Sequence, residues 1–199
     1  MRKKYYDLAF TESVKKAQQE NGSPRTFADG NSPADSLGEA EIAFIADQDS
    51  CYMASVGSGG WPYLQHRGGP IGFMKVLSPT NLAMADFRGN KQYISLGNFV
   101  DDDRVSLFFM DYPRRSRLKI FARAEVVALE EDAGLFHSIT DEAYGAKIER
   151  AIKFNIEGFD WNCPQHITPR YTETDIDAVT NLMGHRIAEL EAEVARLKS

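Results

Sequence analysis

Hydrophobic and polar positions alternate most regularly between Arg104 and Leu129. In "RLKIFARAEVVAL", Leu118, Ile120, Ala122, Ala124 and Val126 fall on one side, and Arg117, Lys119, Phe121, Arg123 and Glu125 on the other. A two-residue period of this kind predicts a strand with one buried face. "RVSLFFM" predicts another strand just before it. Upstream, "CYMASVG" and "WPYLQHR" flank the turn signal "SGG", and "IGFMKVL" and "LAMADF" flank "SPTN". Two hairpins are therefore expected. "AIKFNIEGFDW" predicts a further strand downstream.

Other segments step at helical spacing. Helices are expected over Ser13–Asn21, in "EAEIAFIADQD", in "GNKQYISLGNF", and over Glu130–His137 and Asp141–Lys147. "NGSPRTFADGNSPADSLG" (Asn21–Gly38) reads as loop. From about Thr174 to Lys198 one long helix is expected. Its Met183, Ile187, Leu190, Val194 and Leu197 step by four, three, four and three, which is coiled-coil spacing. Packing on its own domain and pairing with a partner both remain open for that seam. Short strands joined by hairpins, with no βαβ rhythm, predict a mainly β (α+β) fold: an antiparallel barrel with peripheral helices. Gly57, Gly59 and Gly60 open no helix, so they make no dinucleotide fingerprint.

Composition narrows the class. The 199 residues suit one domain, and 43% hydrophobic with 26% charged residues fits neither a disordered chain nor a membrane-spanning one. The basic N-terminal stretch is not followed by an apolar signal core, and two cysteines, Cys51 and Cys163, suit a reducing compartment. A cytoplasmic location is expected. The net charge of −6 argues against a general nucleic-acid binder. Arg67 to Arg123 nevertheless holds ten Lys/Arg against five Asp, leaving 13 basic and 24 acidic residues elsewhere. A positive middle suits a phosphate-bearing ligand, although ordinary surface variation could give the same tally.

Templates for metal and nucleophilic sites are missing. His66, His137, His166 and His185 share no ligand spacing with the cysteines beyond the Cys163/His166 fragment, and no GxSxG elbow exists. No metal site is expected. "ADFRGNKQYISLGN" is more informative: a strand ends, Arg88, Asn90 and Lys91 surround a glycine, and a helix begins. Unpaired N–H groups at a helix start, with a cation nearby, suit a phosphate. Arg117 and Lys119 add planar and point positive charge on a strand face.

Taken in order, "GWPYLQHRGGPIGF", "LAMADFRGNKQYISLGNFVDDDRVSLFFMD" and "RSRLKIFARAEVV" resemble the flavin-binding split barrel of the pyridoxamine 5′-phosphate oxidase class, in its predicted flavin-nucleotide-binding branch. The likeness runs from about Glu41 to Leu129 and extends through "FDWNCPQHITPRY". It implies an antiparallel split barrel over 41–172, with an N-terminal arm over 1–40 and a terminal helix over 173–199. It also implies a homodimer with FMN bound between subunits. Under it, Gln65, His66, Arg67, Gly68 and Gly69 run along the flavin, the glycines allowing close approach. Asn90 and Lys91 match the phosphate-binding pair, with Arg67 or Arg88 supplementing charge. Ala85 and Asp86 match strand-end positions beside the cofactor, and Arg117 takes the place of a glutamine given by the second subunit. Trp161, Cys163, Gln165 and His166 are expected to wall a substrate pocket, with His166 as proton relay; Trp161 and Cys163 also read as core. The vitamin-B6 oxidases end in a strand bearing arginine and histidine for the substrate phosphate. A helix stands here instead, so B6 oxidation does not follow. The implied function is an FMN-dependent oxidoreductase acting on a small molecule or nicotinamide donor. The alternative is a non-catalytic flavin, heme or deazaflavin binder or sensor.

Overall fold

A computed structural model describes residues 3–23, 31–161 and 163–198. Residues 24–30 of the expected Asn21–Gly38 loop, and Asn162 of "WNCPQH", lie outside the described residues. The chain order is α1 (Lys4–Ala9), α2 (Glu12–Glu20), α3 (Glu39–Ala46), β1 (Ser50–Val56), β2 (Pro62–Gly68), β3 (Lys75–Ser78), β4 (Asn81–Phe87), α4 (Ile94–Asp101), β5 (Arg104–Asp111), β6 (Ser116–Val127), α5 (Ala133–Ile139), β7 (Ile148–Trp161) and α6 (Glu173–Lys198).

The seven strands form one sheet in the order β2-β1-β5-β6-β7-β4-β3. Both predicted hairpins form, with Met53 opposite Gln65 in the first and Lys75 opposite Ala83 in the second. Strands far apart in that order supply one core: Met53 from β1, Leu82 and Met84 from β4, Leu107 and Phe109 from β5, and Ile120 from β6. The sheet is thus curled around a shared interior, as the antiparallel split-barrel expectation required. A second cluster lies on the other side of β4 and β7, where Ala83, Ala85 and Ala151 pack under Leu135 and Ile139 of α5. β4 is buried on both faces, so its five consecutive buried residues show no alternation.

Three expectations change. The predicted period of β6 holds from Leu118 to Ala124 and then slips, leaving Val126 exposed and Val127 buried in the second cluster. A register shift between Phe121 and Ala122 against β7 precedes the slip. Residues 141–147 form a turn through Gly145, at φ 65°, instead of a helix. An unexpected helix, α1, sits on the face of β6 that the pattern left polar. Tyr5 stacks on Phe121 with ring centroids 4.9 Å apart, and the Lys119 ammonium lies 5.5 Å from the Tyr5 centroid. Its start is held from a distance: Asp35 accepts from the backbone N–H groups of Lys4, Tyr5 and Phe159.

The chain divides into two bodies, one of residues 1–110 and 117–163, the other of residues 111–116 and 164–199. The N-terminal segment falls in the first body, and residues 164–172 fall with the terminal helix in the second. Thr172 and Asp175 cap that helix reciprocally, which fixes where it starts.

A methyl group added at Gly158 of β7 would come within 2.5 Å of the Tyr5 backbone nitrogen. Gly158→Ala is therefore expected to destabilise the protein by about 1–3 kcal/mol, as overpacking does, read as a lower urea midpoint. An unchanged midpoint would contradict this seating of α1.

Candidate functional site

Alternation on β2 sends Tyr63, Gln65 and Arg67 to one face and Leu64, His66 and Gly68 to the other. Across the hairpin, Arg67 faces Cys51 and Gln65 faces Met53, both core residues of β1. The first set is therefore inward. On β4 the same rule turns Asp86 to the side of Leu82 and Met84. β2 ends the sheet on one side and β4 is next to last on the other. Arg67 and Asp86 meet across that split, Nη1 to Oδ1 at 2.8 Å, and Arg150 of β7 reaches the second carboxylate oxygen at 3.2 Å.

A cleft of about 280 Å³ opens there, lined among others by Gln65, Arg67, Asp86, Asn90, Lys91 and Ser95. The loop from β4 into α4 is held in unusual backbone: Lys91 and Tyr93 adopt φ 60° and 53°. Left-handed non-glycine residues so close together store strain on the order of 1 kcal/mol each. Tyr93 precedes α4 without a side-chain cap bond, so the first N–H groups of the helix, at Ile94, Ser95 and Leu96 in the cleft wall, lack side-chain capping. Ser95 is buried and its hydroxyl donates to Gln65 Oε1 at 3.0 Å.

The electrostatics favour an anion. Asp86 is shared by Arg67 and Arg150, and Glu149 is met by Arg88 at 3.7 Å and Arg150 at 3.1 Å. In the lining itself Arg67 and Lys91 balance Asp86 and Glu149, with Arg88 and Arg150 bound to those carboxylates from outside it. The Lys91 ammonium has no carboxylate partner among the described residues. The Arg67 Nε–H is buried with no acceptor among the described residues. A buried unpaired donor is costly, and a bound anion would satisfy it.

Five expected residues thus gather at the cleft: Gln65, Arg67, Asp86, Asn90 and Lys91. Others lie elsewhere. His66 is on the outer face, its ring 5.7 Å from Tyr52. Ala85 is turned under α5. Gly68 and Gly69 leave room for the protein itself: added methyl groups would meet the His66 ring at 3.1 Å and Phe73 at 2.8 Å. Arg88 is half exposed against Glu149.

Arg117, Trp161 and Cys163 make a second group. Leu118 pairs with Trp161 at one end of β7, while Arg150, beside the cleft, is near the other end, about 36 Å of extended strand away. Arg117 Nη2 donates to the Cys163 carbonyl at 2.9 Å, and its buried Nε has no partner among the described residues. Trp161 is structural in this chain: its indole N–H donates to Glu41 at 2.6 Å and its ring meets Phe44 edge-on. Gln165 and His166 belong to the second body, His166 in left-handed backbone at φ 62°.

Sequence reasoning missed Tyr63, Ser95, Tyr93, Glu149 and Arg150. The period of β2 points to Tyr63. Glu149 and Arg150 carry no local signal, because β7 reaches the cleft only through pairing of Asp86 with Arg150. The positive segment is also less free than its tally implies. Arg123 is tied to Asp103 and Glu157, and Arg104 to Asp102, whose carboxyl is held down to about 2 chiefly by the hydrogen bonds from Arg104. Among the described residues, no group of three or more His, Cys, Asp or Glu could hold a metal ion. No described helix is long and apolar enough to cross a membrane.

Residues 37–161 match the family model described as pyridoxamine 5′-phosphate oxidase. The chain belongs to this family. No match is found among curated proteins. Among solved structures, the HupZ protein of Group A Streptococcus shares the fold with a TM-score of 0.50 at 13% identity, over 68% of this chain and 100% of that one. A putative pyridoxamine 5′-phosphate oxidase of Lactobacillus delbrueckii aligns at 23% identity over 63% and 93%, TM-score 0.47. An FMN-binding protein of Syntrophomonas wolfei aligns at 14% over 76% and 96%, TM-score 0.45.

The two cysteines should behave differently. Burial pushes the Cys51 thiol up to about 12, against a smaller opposing pull from Arg67, whereas Cys163 is exposed. A thiol reagent at about pH 8 is expected to modify one thiol in the native protein and a second only after unfolding. Rapid modification of both would contradict the burial of β1.

Proposed function

We propose that this protein binds FMN and uses it to pass a hydride between a reduced donor and an acceptor. The observation that carries the reading is the set of donors without acceptors among the described residues, at the Lys91 ammonium and the Arg67 Nε–H, beside the uncapped start of α4. That combination suits a phosphate monoester. Membership of a family named for an oxidase supports a flavin as the bearer of that phosphate. Lys91, Asn90, Arg67 and the first N–H groups of α4 would hold the phosphate. Gln65, fixed by Ser95, offers a polar group farther along the wall. Bound FMN supplies two-electron redox chemistry, and the chain supplies placement, charge balance and exclusion of water.

A second copy of the chain is proposed to complete the site. At about 280 Å³ the cleft is just under the roughly 300–1,000 Å³ usual for ligand pockets. The unpaired Arg117 donor lies at the far end of β7, out of reach of its own chain's cleft. Contribution of Arg117 by a partner would supply the missing wall. The B6 substrate is not part of the proposal, because β7 is followed by α6 where the oxidases carry a final strand.

Mild purification followed by flavin titration tests the reading. Lys91→Ala is expected to weaken FMN binding by about 1.5–3 kcal/mol, roughly ten- to a hundredfold, the worth of a charge-assisted hydrogen bond. Riboflavin, which lacks the phosphate, should bind both proteins alike. Equal losses for the two ligands, or none for FMN, would remove Lys91 from the phosphate site. Turnover with NADH or NADPH is expected of the enzyme; tight FMN binding without turnover with any donor would replace it with a flavin binder.

A further inference from the structure

α6 runs for 26 residues, about 39 Å, and none of the residues described in it is buried. An isolated helix gains most of its stability from packing an apolar stripe, so a stripe this long in solvent calls for a cover. The stripe is regular. Written as heptads, Ile187 and Val194 occupy a, and Met183, Leu190 and Leu197 occupy d, with Ile176 and Thr180 extending the pattern by one heptad. The a and d residues are between 43% exposed, at Leu190, and 71%, at Leu197. Val179 lies beside the seam at g, and Leu182 lies off it at c.

Two features narrow what covers it. β-branched residues at a with leucine at d favour two parallel strands over larger bundles. The flanking charges fit a second copy of the same helix. In a parallel, in-register pair, each g residue approaches the e residue of the partner's following heptad. Here that sets Arg186 toward Glu191 and Glu193 toward Lys198, opposite in sign in both cases and each made twice by symmetry. Arg186 already bonds Glu189 within its own helix at 2.9 Å, and Glu191 lies two residues farther along. Lysine and arginine in the last turn also complement the helix dipole.

We propose that α6 pairs with α6 of a second copy of this chain as a parallel, in-register two-stranded coiled coil. The proposal does not rest on flavin binding.

Site-specific crosslinking of the full chain tests it, with Cys163→Ser removing the exposed thiol. Leu197→Cys sits in the seam near one end of the helix, and Ala195→Cys sits at b, outside it. Under mild oxidation with diamide, Leu197→Cys is expected to form a disulfide-linked dimer at least about tenfold faster, because paired helices give the two thiols a high effective concentration. Adding Glu193→Lys should slow that reaction by setting lysines opposite each other, and adding Lys198→Glu as well should restore it. Three results would each overturn the proposal: equal rates for the two cysteines, preferential linkage of Val194→Cys to an Ile176→Cys chain over its own kind, as the a-to-d layers of a fully overlapped antiparallel pair require, or a monomer in sedimentation equilibrium at tens of micromolar. FMN titration does not enter these readouts: either crosslinking failure would leave the proposed flavin site standing, whereas a monomer would also remove the partner's share of that site and leave only the phosphate cleft of one chain.

Discussion

The Arg67 guanidinium and the Asp86 carboxylate come together from strands near opposite ends of one sheet, at 2.8 Å. Without a bond across that gap, β2 would be an open edge beside an apolar interior. With it, the curl of the sheet has a polar seam on one side, and the cleft lies along that seam. Arg150 holds the same carboxylate from β7, so three strands converge on two oxygens. Partly buried ion pairs of this kind add little net stability, because desolvation offsets attraction, but they specify where strands meet. Removing Asp86 would leave two guanidinium groups facing each other at the mouth of the barrel.

The same geometry explains which parts of the site were legible. Hairpins announce themselves by alternation and turn residues, and both formed as read. The loop from β4 into α4 was equally visible, since cations, glycine and helix start are consecutive in "FRGNKQYIS". Residues lie away from the cleft where neighbours in sequence face opposite ways. His66 and Ala85 each adjoin a cleft residue, and the two-residue period of a strand turns them out. Gly68 and Gly69 suggested close approach by a ligand, whereas Phe73 and the His66 ring already occupy that space. Glu149 and Arg150 are more than fifty residues from the β4–α4 loop and enter only through the pairing of β4 with β7. α1 was invisible for a related reason, because its N-terminal amides are held by Asp35, a residue outside any local capping motif.

Charge was a useful but coarse guide. The excess between Arg67 and Arg123 is real as a count, yet much of it is consumed by neighbouring aspartates, as at Arg104 and Arg123. What distinguishes the cleft is not the amount of positive charge. Among the described residues, it is the coincidence of an unpaired ammonium, a buried guanidinium N–H without an acceptor, and helix amides with no side chain over them.

That missing cap has a thermodynamic corollary. The opening turn of α4 carries Ser95 in the cleft wall, and Phe99, a turn later, plugs the main core. Any anion seated on those amides would act as the absent capping group. Occupancy and helical order would then be one linked equilibrium: emptying the cleft would loosen a plug in the barrel, and filling it would slow the amide hydrogen exchange of a segment that itself touches no solute.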